Sequence, residues 1–343
     1  MVFLSHAGTQ RISGGLLYQF TTFGEAAVDV FFVLSGILIA QAATYQDAGG
    51  YAIARAARLY SVVLPCLALG WLMDVTGPAL DPMVYAAAPF FTGSAGAMQL
   101  ASSLLFLDHN WFRHAQPGSN LPYWSLCFEA WYYLAFGLLV FAKPPWNWLG
   151  AMMAMLAAGP KIALLFPLWL LGVACQRRIA HWASTGGGVS RTTAWALLLG
   201  PVAAWGALHA WDPVVRGCYP FMQFEPGLEC LVAARSDYAI GLVVAAQILG
   251  VHALAPTLWR WLRPLARPAS WLAGASFTLY LLHDPLLHFI VATAPWPPSH
   301  WATRALVFLL PPLVVLAVAE GTERRRRAWR HALLSIARLL RPA

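Results

Sequence analysis

Ionisable side chains interrupt several apolar stretches of this 343-residue chain. They are His6, Asp29, Glu129 and His283, with Asp284 directly after the last of them. A charged group inside a membrane span is costly, so such residues are candidates for a functional site. Because an unperturbed imidazole titrates near neutrality, His6 could give and take protons. A helix-end histidine bonded to a backbone carbonyl would fit the same sequence.

Two carboxylates have both a structural and a chemical interpretation. Asp29 stands where an apolar run begins, and its carboxylate could cap the positive end of a helix. Glu129 lies within LPYWSLCFEAWYYLAF, where a carboxylate needs a partner or a proton. The surrounding aromatic stripe is more typical of a helix core than of a binding site.

Two further patterns place polar side chains on one face of a helix. Arg55 and Arg58 are three residues apart, so both guanidinium groups could fork around phosphate oxygens. The enrichment of positive charge at the cytoplasmic side of membranes would produce such a pair too. Ser276, Tyr280 and His283 recur at three- to four-residue spacing, which suits either a site or a polar seam between helices.

The composition identifies the class of protein that carries these residues. The chain is 59% hydrophobic and 10% charged, with a mean hydropathy of +0.60, whereas a soluble domain is about 25% charged. This excludes a disordered, fibrous or soluble protein and predicts a multi-pass integral membrane protein. Lys and Arg number 22 against 14 Asp and Glu. They stand between apolar segments, where they orient helices, so we expect no nucleic-acid partner.

The predicted fold class is all-α: a polytopic bundle of about ten transmembrane helices, each needing about 20 apolar residues. The stretch 83–109 is broken by Pro and Gly and is expected to be re-entrant or interfacial. The first helix has the length of only half a span, so we expect the natural start upstream of Met1. The predicted spans are 1–7, 27–44, 59–76, 122–142, 146–158, 161–176, 193–211, 236–253, 270–292 and 303–319.

The distribution of basic residues predicts the orientation. With ten crossings and both termini in the cytoplasm, most Lys and Arg residues fall on the inner side. We therefore expect residues 1–323 to form the membrane domain. Residues 324–343 are expected to form a basic amphipathic cytoplasmic tail along the inner membrane surface.

The five cysteines give little sign of chemistry. None forms a CxxC pair or a cluster with metal-ligand spacing, so no metal site is expected. Cys66, Cys127 and Cys175 lie in apolar runs and are expected to be packing residues. Cys218 and Cys230 share one predicted external loop and could form a disulfide.

Five short segments, taken in order, give a more specific pattern. They are SHAG at 5–8, GEAAVDVFFVLSGILI at 24–39, RAARLY at 55–60, WSLCFEAWYY at 124–133 and SFTLYLLHDPL at 276–286. This set resembles the acyltransferase-3 family of membrane-bound O-acyltransferases across nearly the whole chain. Two departures exist: the arginine that usually precedes the first-helix histidine would lie before Met1, and RLYS replaces RLYP. Because of these departures, we expect an enzyme impaired by N-terminal truncation.

The resemblance implies an O-acetyltransferase of the bacterial inner (plasma) membrane. Similar proteins take an acyl group, usually acetyl, from cytoplasmic acetyl-CoA or another acyl-CoA, and need no metal. They deliver it to a hydroxyl of an extracytoplasmic glycan such as O-antigen, capsule or exopolysaccharide. The implied partners are therefore the acyl-CoA, a glycan or lipid-linked saccharide acceptor, and membrane lipids.

The resemblance also implies roles for individual residues. His6 would be the central acid/base or acyl-relay group, and Asp29 and Glu129 would orient His6 or the acceptor hydroxyl. Arg55 and Arg58 would hold the phosphates of coenzyme A. The residues expected to bind the substrate are Trp124, Tyr133, Tyr280 and His283.

Two alternatives belong to other classes of protein. A proton-coupled secondary transporter would use His6, Glu129 and His283 as a proton relay, but it predicts two matching halves that the sequence does not show. The other alternative is a non-catalytic membrane component of polysaccharide export.

Overall fold

The computed structural model describes residues 1–88, 91, 93, 95–211 and 228–339, and within them every regular element is helical. The predicted all-α class is therefore confirmed. Two short 3-10 helices cover Tyr18–Phe23 and Glu323–Arg325. The α-helices are α1 Val2–Ala7, α2 Gln10–Ser13, α3 Gly24–Ala43, α4 Ala48–Leu80, α5 Pro82–Ala86, α6 Ala97–Leu104, α7 Tyr123–Phe141, α8 Trp146–Ala158, α9 Pro160–Thr185, α10 Arg191–Trp211, α11 Leu228–Ala253, α12 Ala255–Ala273, α13 Ser276–Thr293, α14 Trp301–Gly321 and α15 Arg326–Leu339.

Several of these helices can cross a bilayer. Among the described residues, six helical segments are long and apolar enough, or seven if α12 and α13 count as one bent span. This confirms a polytopic helical membrane protein, while the count of ten crossings and the orientation stay predictions. The six segments are Tyr18–Ala43, Ala48–Leu80, Tyr123–Phe141, Pro160–Thr185, Ser236–Ala253 and Trp301–Ser335.

Helix α4 is much longer than the span predicted at 59–76. Its 33 residues extend over about 50 Å, well beyond the roughly 30 Å of a hydrocarbon core. The carboxylate of Asp47 caps its start by accepting from the backbone N–H of Gly50 at 2.7 Å. Arg55 and Arg58 therefore lie inside α4, on a rigid helix, as their three-residue spacing predicts.

The helix predicted at 270–292 begins too early: residues 276–292 lie in α13, whereas residues 270–273 end α12, and the chain bends by 53° between the two helices. Helix α13 begins at Ser276, and its first free N–H groups are bonded by a side chain from elsewhere in the chain. Glu323 Oε2 accepts from the backbone N–H groups of Phe277 and Thr278 at 3.0 and 3.1 Å. This long-range cap satisfies a helix start that local sequence does not mark.

Close packing of α3 against α9 forms one wall of the bundle. A Cβ atom on Gly36 would lie 2.1 Å from the carbonyl oxygen of Trp169. One on Gly172 would lie 2.0 Å from the carbonyl oxygen of Val33. The two backbones can approach this closely only because both positions lack a side chain.

The stretch expected to be broken contains only the short helices α5 and α6 among its described residues. The following segment, residues 105–122, is tied to two long helices. Ser119 donates from its N–H and its hydroxyl to Asp74 of α4, at 3.0 and 2.6 Å. Asn120 Nδ2 donates to the carbonyl oxygen of Leu281 in α13 at 2.8 Å. This segment, here called the 105–122 loop, fixes the spacing of α4 and α13.

The cysteines that can be described behave as expected. Cys66, Cys127 and Cys175 are buried and carry free thiols. The predicted pairing of Cys218 with Cys230 lies outside the described residues.

The basic tail is helical as far as it is described, and α15 packs against α4.

Candidate active site

His6 and Asp284 form a hydrogen-bonded pair between α1 and α13. His6 Nδ1 lies 3.1 Å from Asp284 Oδ1, with the two side chains 21% and 6% exposed. Because an ionised carboxylate only accepts hydrogen bonds, Nδ1 carries the proton and Nε2 of the neutral ring has a lone pair. A buried carboxylate thus sets the tautomer of a partly exposed imidazole, which is the arrangement of a general base.

Asp284 is held in place by further contacts. Its Oδ2 accepts from the backbone N–H of Leu121, in the 105–122 loop, at 3.2 Å. His288 Nδ1 lies 3.6 Å from Asp284 Oδ1 and donates to the Asp284 carbonyl oxygen at 2.9 Å. Asp284 has no role in the motifs of the sequence, although its position beside His283 in an apolar helix is a signal that marks it.

His283 places a second imidazole beside the first. The two ring centroids are 5.0 Å apart, at an interplanar angle of 58°. His283 Nδ1 donates to the carbonyl oxygen of Leu279 at 2.9 Å, and its buried Nε2 has no hydrogen-bond partner. We call His6, His283, Asp284 and His288 the histidine cluster.

A cavity of about 430 Å³ adjoins the histidine cluster at His288, and we call it the His288 cavity. Its volume is in the range of small-molecule sites. Arg11 and Asp81 supply charged groups to its lining, and Trp296 supplies an aromatic face. The indole of Trp296 is stacked on His300, with centroids 5.4 Å apart and planes at 13°.

The two arginines form a separate site near the start of α4. The Arg55 guanidinium lies 5.7 and 5.8 Å from the ring centroids of Tyr51 and Tyr133. Its Nε is buried and has no hydrogen-bond partner. Arg58 lies 5.8 Å from the ring of Phe277 in α13. Both arginines are half-buried, which concentrates positive charge inside the bundle.

Glu129 belongs to this second site. Its Oε1 accepts from Ser35 Oγ at 2.6 Å and from the hydroxyl of Tyr133, and its charge acts on Arg58. Its Oε2 is buried and has no hydrogen-bond partner. We call Arg55, Arg58, Glu129 and Tyr133 the arginine cluster. The carboxylate bonded to His6 comes from Asp284 and not from Glu129. The other expected role of Glu129, orienting the acceptor hydroxyl, stays a prediction.

Asp29 lies in neither cluster. Helix α3 begins at Gly24, so Asp29 is inside the helix and the capping interpretation is wrong. The charges of Asp237 and Glu25 act on it, and its buried Oδ2 has no hydrogen-bond partner. The structure thus places Asp29 where α3 faces α11. Its expected role in orienting His6 or the acceptor hydroxyl stays a prediction.

The residues expected to bind substrate are inside the bundle. Trp124 and Tyr133 are buried, and Trp124 packs edge-on against the rings of Phe32 and Phe128 as part of the core. Tyr280 is half-buried; its hydroxyl lies 2.6 Å from Ser125 Oγ. His283 is fully buried. Of these four residues, Tyr133 belongs to the arginine cluster, His283 belongs to the histidine cluster, and Tyr280 lies between them.

A column of polar side chains connects the clusters. Ser125 lies one helical turn before Glu129 on α7, and the rings of Tyr280 and His283 are 6.3 Å apart. Phe277, which contacts Arg58, is seven residues before Asp284, or about 10 Å along α13. The arrangement can bind an anion at one end and remove a proton at the other, with a polar path between.

Buried ionisable groups stabilise the 105–122 loop, whose Leu121 N–H donates to Asp284. Burial raises the pKa of Asp108, although its carboxylate accepts from the hydroxyls of Ser102 and Ser103. Burial, together with the nearby Lys161 ammonium, lowers the pKa of His109 to about 3. No sequence motif marks these residues, because they meet only in the folded chain.

The described residues hold no group of three or more His, Cys, Asp or Glu arranged to bind a metal ion. The family model Acyl_transf_3, an acyltransferase domain, matches residues 1–319. The chain therefore belongs to the acyltransferase-3 family, as the five ordered segments predict, and it is a membrane acyltransferase of the O-acyl type. No curated protein and no solved structure matches it.

Proposed function

We propose that the protein transfers an acetyl group from cytoplasmic acetyl-CoA to a hydroxyl of an extracytoplasmic glycan. The observation that supports this best is the bond between His6 and Asp284, which leaves His6 Nε2 as a base in the histidine cluster. The arginine cluster, about 10 Å away along α13, would receive the donor.

The arginine cluster suits a polyanionic donor such as acetyl-CoA. Arg55 and Arg58 are half-buried, and Arg55 Nε is a buried donor without a partner. Guanidinium groups bind phosphate oxygens through paired, charge-assisted hydrogen bonds. The two arginines would hold the phosphates, and the polar column would lead the thioester towards His6.

The reaction balances with His6 as the proton carrier. Nε2 accepts the proton of the acceptor hydroxyl while the hydroxyl oxygen attacks the thioester carbonyl carbon. A C–O bond forms, the C–S bond breaks, and the imidazolium returns its proton to the departing thiolate. Asp284 stabilises the imidazolium, and this kind of catalysis contributes about 10²- to 10⁴-fold. In a two-step reaction, the same Nε2 would instead be the nucleophile.

The His288 cavity would hold the acceptor. Trp296 presents an aromatic surface on which a sugar ring can lie, and Arg11 and Asp81 present groups that bond hydroxyls. The cavity reaches the histidine cluster through His288, whose Nδ1 is 3.6 Å from the oxygen that binds His6. A saccharide bound there would have to extend one hydroxyl past His288 and Asp284 to reach the proposed base, His6.

The test compares surface glycans of a bacterial deletion strain complemented with wild type, His6→Ala or Arg55→Gln. His181→Ala is the matched control, because His181 is an exposed histidine of α9. We expect wild type and the control to restore a base-labile acetyl ester, measured by NMR before and after mild base. His6→Ala should restore none and Arg55→Gln much less than wild type, while both variants appear in the inner-membrane fraction at wild-type level.

Other outcomes would favour the alternatives. Loss of surface glycan without any change in its acetyl content would indicate a component of export. Proton-coupled solute uptake that needs His6 and Glu129 would indicate a transporter. Either result, with no acetyl ester formed by wild type, would overturn the proposal.

A further inference from the structure

Helix α12 differs from the other long helices, because none of its 19 residues is buried. It carries large apolar side chains at its surface, among them Trp261 at 69% and Leu265 at 60% exposure. Its three arginines, Arg260, Arg263 and Arg267, are exposed as well. A helix with this surface needs a partner for both kinds of side chain.

The two kinds of side chain lie on opposite faces of α12. Arg260, Arg263 and Arg267 follow a three- and four-residue spacing, which aligns them on one face. The opposite face carries Leu258, Leu262, Leu265 and Leu272, at similar spacing. A spanning helix would have to place three charges at the depth of the lipid tails, which is costly.

We propose that α12 lies in the plane of the membrane surface and that its arginine face binds the head groups of anionic phospholipids. In this position the leucine face enters the boundary of the acyl chains and the guanidinium groups stay at the level of the phosphates. Charge complementarity selects anionic over zwitterionic lipid, because each basic residue near such a surface gains about fivefold in binding. The 53° bend to α13 is the change of direction that an in-plane helix requires.

The joint after α12 connects this surface to the histidine cluster. The Arg324 guanidinium lies 4.3 Å from the ring centroid of Trp271 and donates to the Trp271 carbonyl oxygen at 3.1 Å. The neighbouring Glu323 caps the start of α13. Helix α13 carries His283 and Asp284, so lipid bound to α12 would hold that helix in position. Dependence of the rate on anionic lipid is the one element of this inference that rests on the proposed function.

The first experiment tests the position of α12 and needs no activity. Leu262→Cys and Arg263→Cys are made separately in the full chain, which is reconstituted in nanodiscs open to solvent on both sides. An in-plane helix predicts that Arg263→Cys reacts with a membrane-impermeant maleimide at least tenfold faster than Leu262→Cys, after subtraction of wild-type labelling. A spanning helix gives equal protection at these adjacent depths, and equal rates would overturn the inference.

The second experiment tests the lipid. Nanodiscs of phosphatidylcholine, with or without phosphatidylglycerol, are prepared from wild type and from a variant combining Arg260→Gln, Arg263→Gln and Arg267→Gln. Native mass spectrometry should show at least tenfold less retained phosphatidylglycerol for the variant. The control combines Arg177→Gln, Arg178→Gln and Arg191→Gln, three exposed arginines outside α12, and should retain the wild-type amount.

Acetyl transfer is measured in the same nanodiscs. We expect phosphatidylglycerol to raise the wild-type rate several-fold and to leave the α12 variant unchanged. Equal lipid retention by the α12 variant and wild type would overturn the inference, whatever the rates. If wild type transfers no acetyl group in any lipid, the proposed function fails, while the labelling and retention results still decide the position and the lipid preference of α12.

Discussion

Replacing Asp284 with Asn preserves the shape of the side chain but removes one of its two hydrogen-bond acceptors. The carboxylate accepts from His6 Nδ1 through Oδ1, at 3.1 Å, and from the Leu121 N–H through Oδ2, at 3.2 Å. An amide has one oxygen and one NH₂ group, so it can satisfy only one of these donors. The substitution therefore tests directly whether the carboxylate sets the tautomer of His6.

Both orientations of the amide are unfavourable to the reaction. If the amide oxygen faces Leu121, the NH₂ group faces His6 Nδ1, and Nδ1 must accept a hydrogen bond from it. The ring proton then moves to Nε2, which can no longer act as a base. If its oxygen faces His6, two donors meet at Leu121, and a buried unsatisfied donor costs about 1–3 kcal/mol. In either case no negative charge stabilises the imidazolium. We expect kcat/KM for acetyl transfer to fall about 10²- to 10⁴-fold.

The assay is acetyl transfer by the purified protein in nanodiscs, with acetyl-CoA and the extracted surface glycan. The KM for acetyl-CoA should stay at the wild-type value, because Arg55 and Arg58 lie at the other end of the polar column. Asp74→Asn is the matched control: Asp74 is also buried and also accepts a backbone N–H of the 105–122 loop, from Ser119. It should lower the unfolding temperature yet keep the rate within about tenfold of wild type.

A rate for Asp284→Asn within tenfold of wild type would refute the reasoning. So would equal losses for Asp284→Asn and Asp74→Asn, because the effect would then come from the loop rather than from the imidazole. Nitrogen NMR of labelled His6 distinguishes the two amide orientations, since the proton lies on Nε2 when the NH₂ group faces the ring and on Nδ1 when the oxygen does.

Three further predictions concern donor binding, backbone strain and pH. Arg55→Gln should raise the KM for acetyl-CoA about 10- to 100-fold through loss of charge-assisted bonds, whereas Arg177→Gln, on the exposed surface of α9, should not. Gly118→Ala should lower the unfolding temperature more than Gly186→Ala. Both glycines have φ near +60°, but a Cβ on Gly118 would lie 1.7 Å from an Asp74 carboxylate oxygen, whereas one on Gly186 would meet no atom within 4 Å. Equal shifts would show that the Asp74 carboxylate moves aside at no cost in stability. His109 is neutral in the folded chain because burial lowers its pKa to about 3, so an unfolded chain binds its proton first as the pH falls below about 6.5. The free energy of unfolding should therefore fall by up to about 2 kcal/mol between pH 6.5 and 5, and His109→Gln should flatten that slope; an unchanged slope would contradict the buried state of the ring.

Local sequence determines the class of this protein and part of its site. Length, apolar runs and scarce charge are sufficient for an all-helical membrane protein, because a lipid-exposed backbone must satisfy its own hydrogen bonds. The family follows from short ordered segments, and His6, Arg55 and Arg58 stand out because each is ionisable beside or within an apolar stretch. These features depend on residue type and near neighbours alone.

The partners of those residues are decided by tertiary structure. His6 meets Asp284 across 278 positions of chain. Glu129 bonds Ser35, and its charge acts on Arg58, because α3, α4 and α7 pack together. Sequence spacing cannot distinguish these carboxylates, since each is a lone acid in an apolar helix. The break between α12 and α13 is likewise fixed by Glu323, whose carboxylate reaches the start of α13 only in the folded bundle. Sequence thus determines which ionisable groups are buried. Packing decides which of them pair with one another, because the energy of a buried charge depends on neighbours that are distant along the chain.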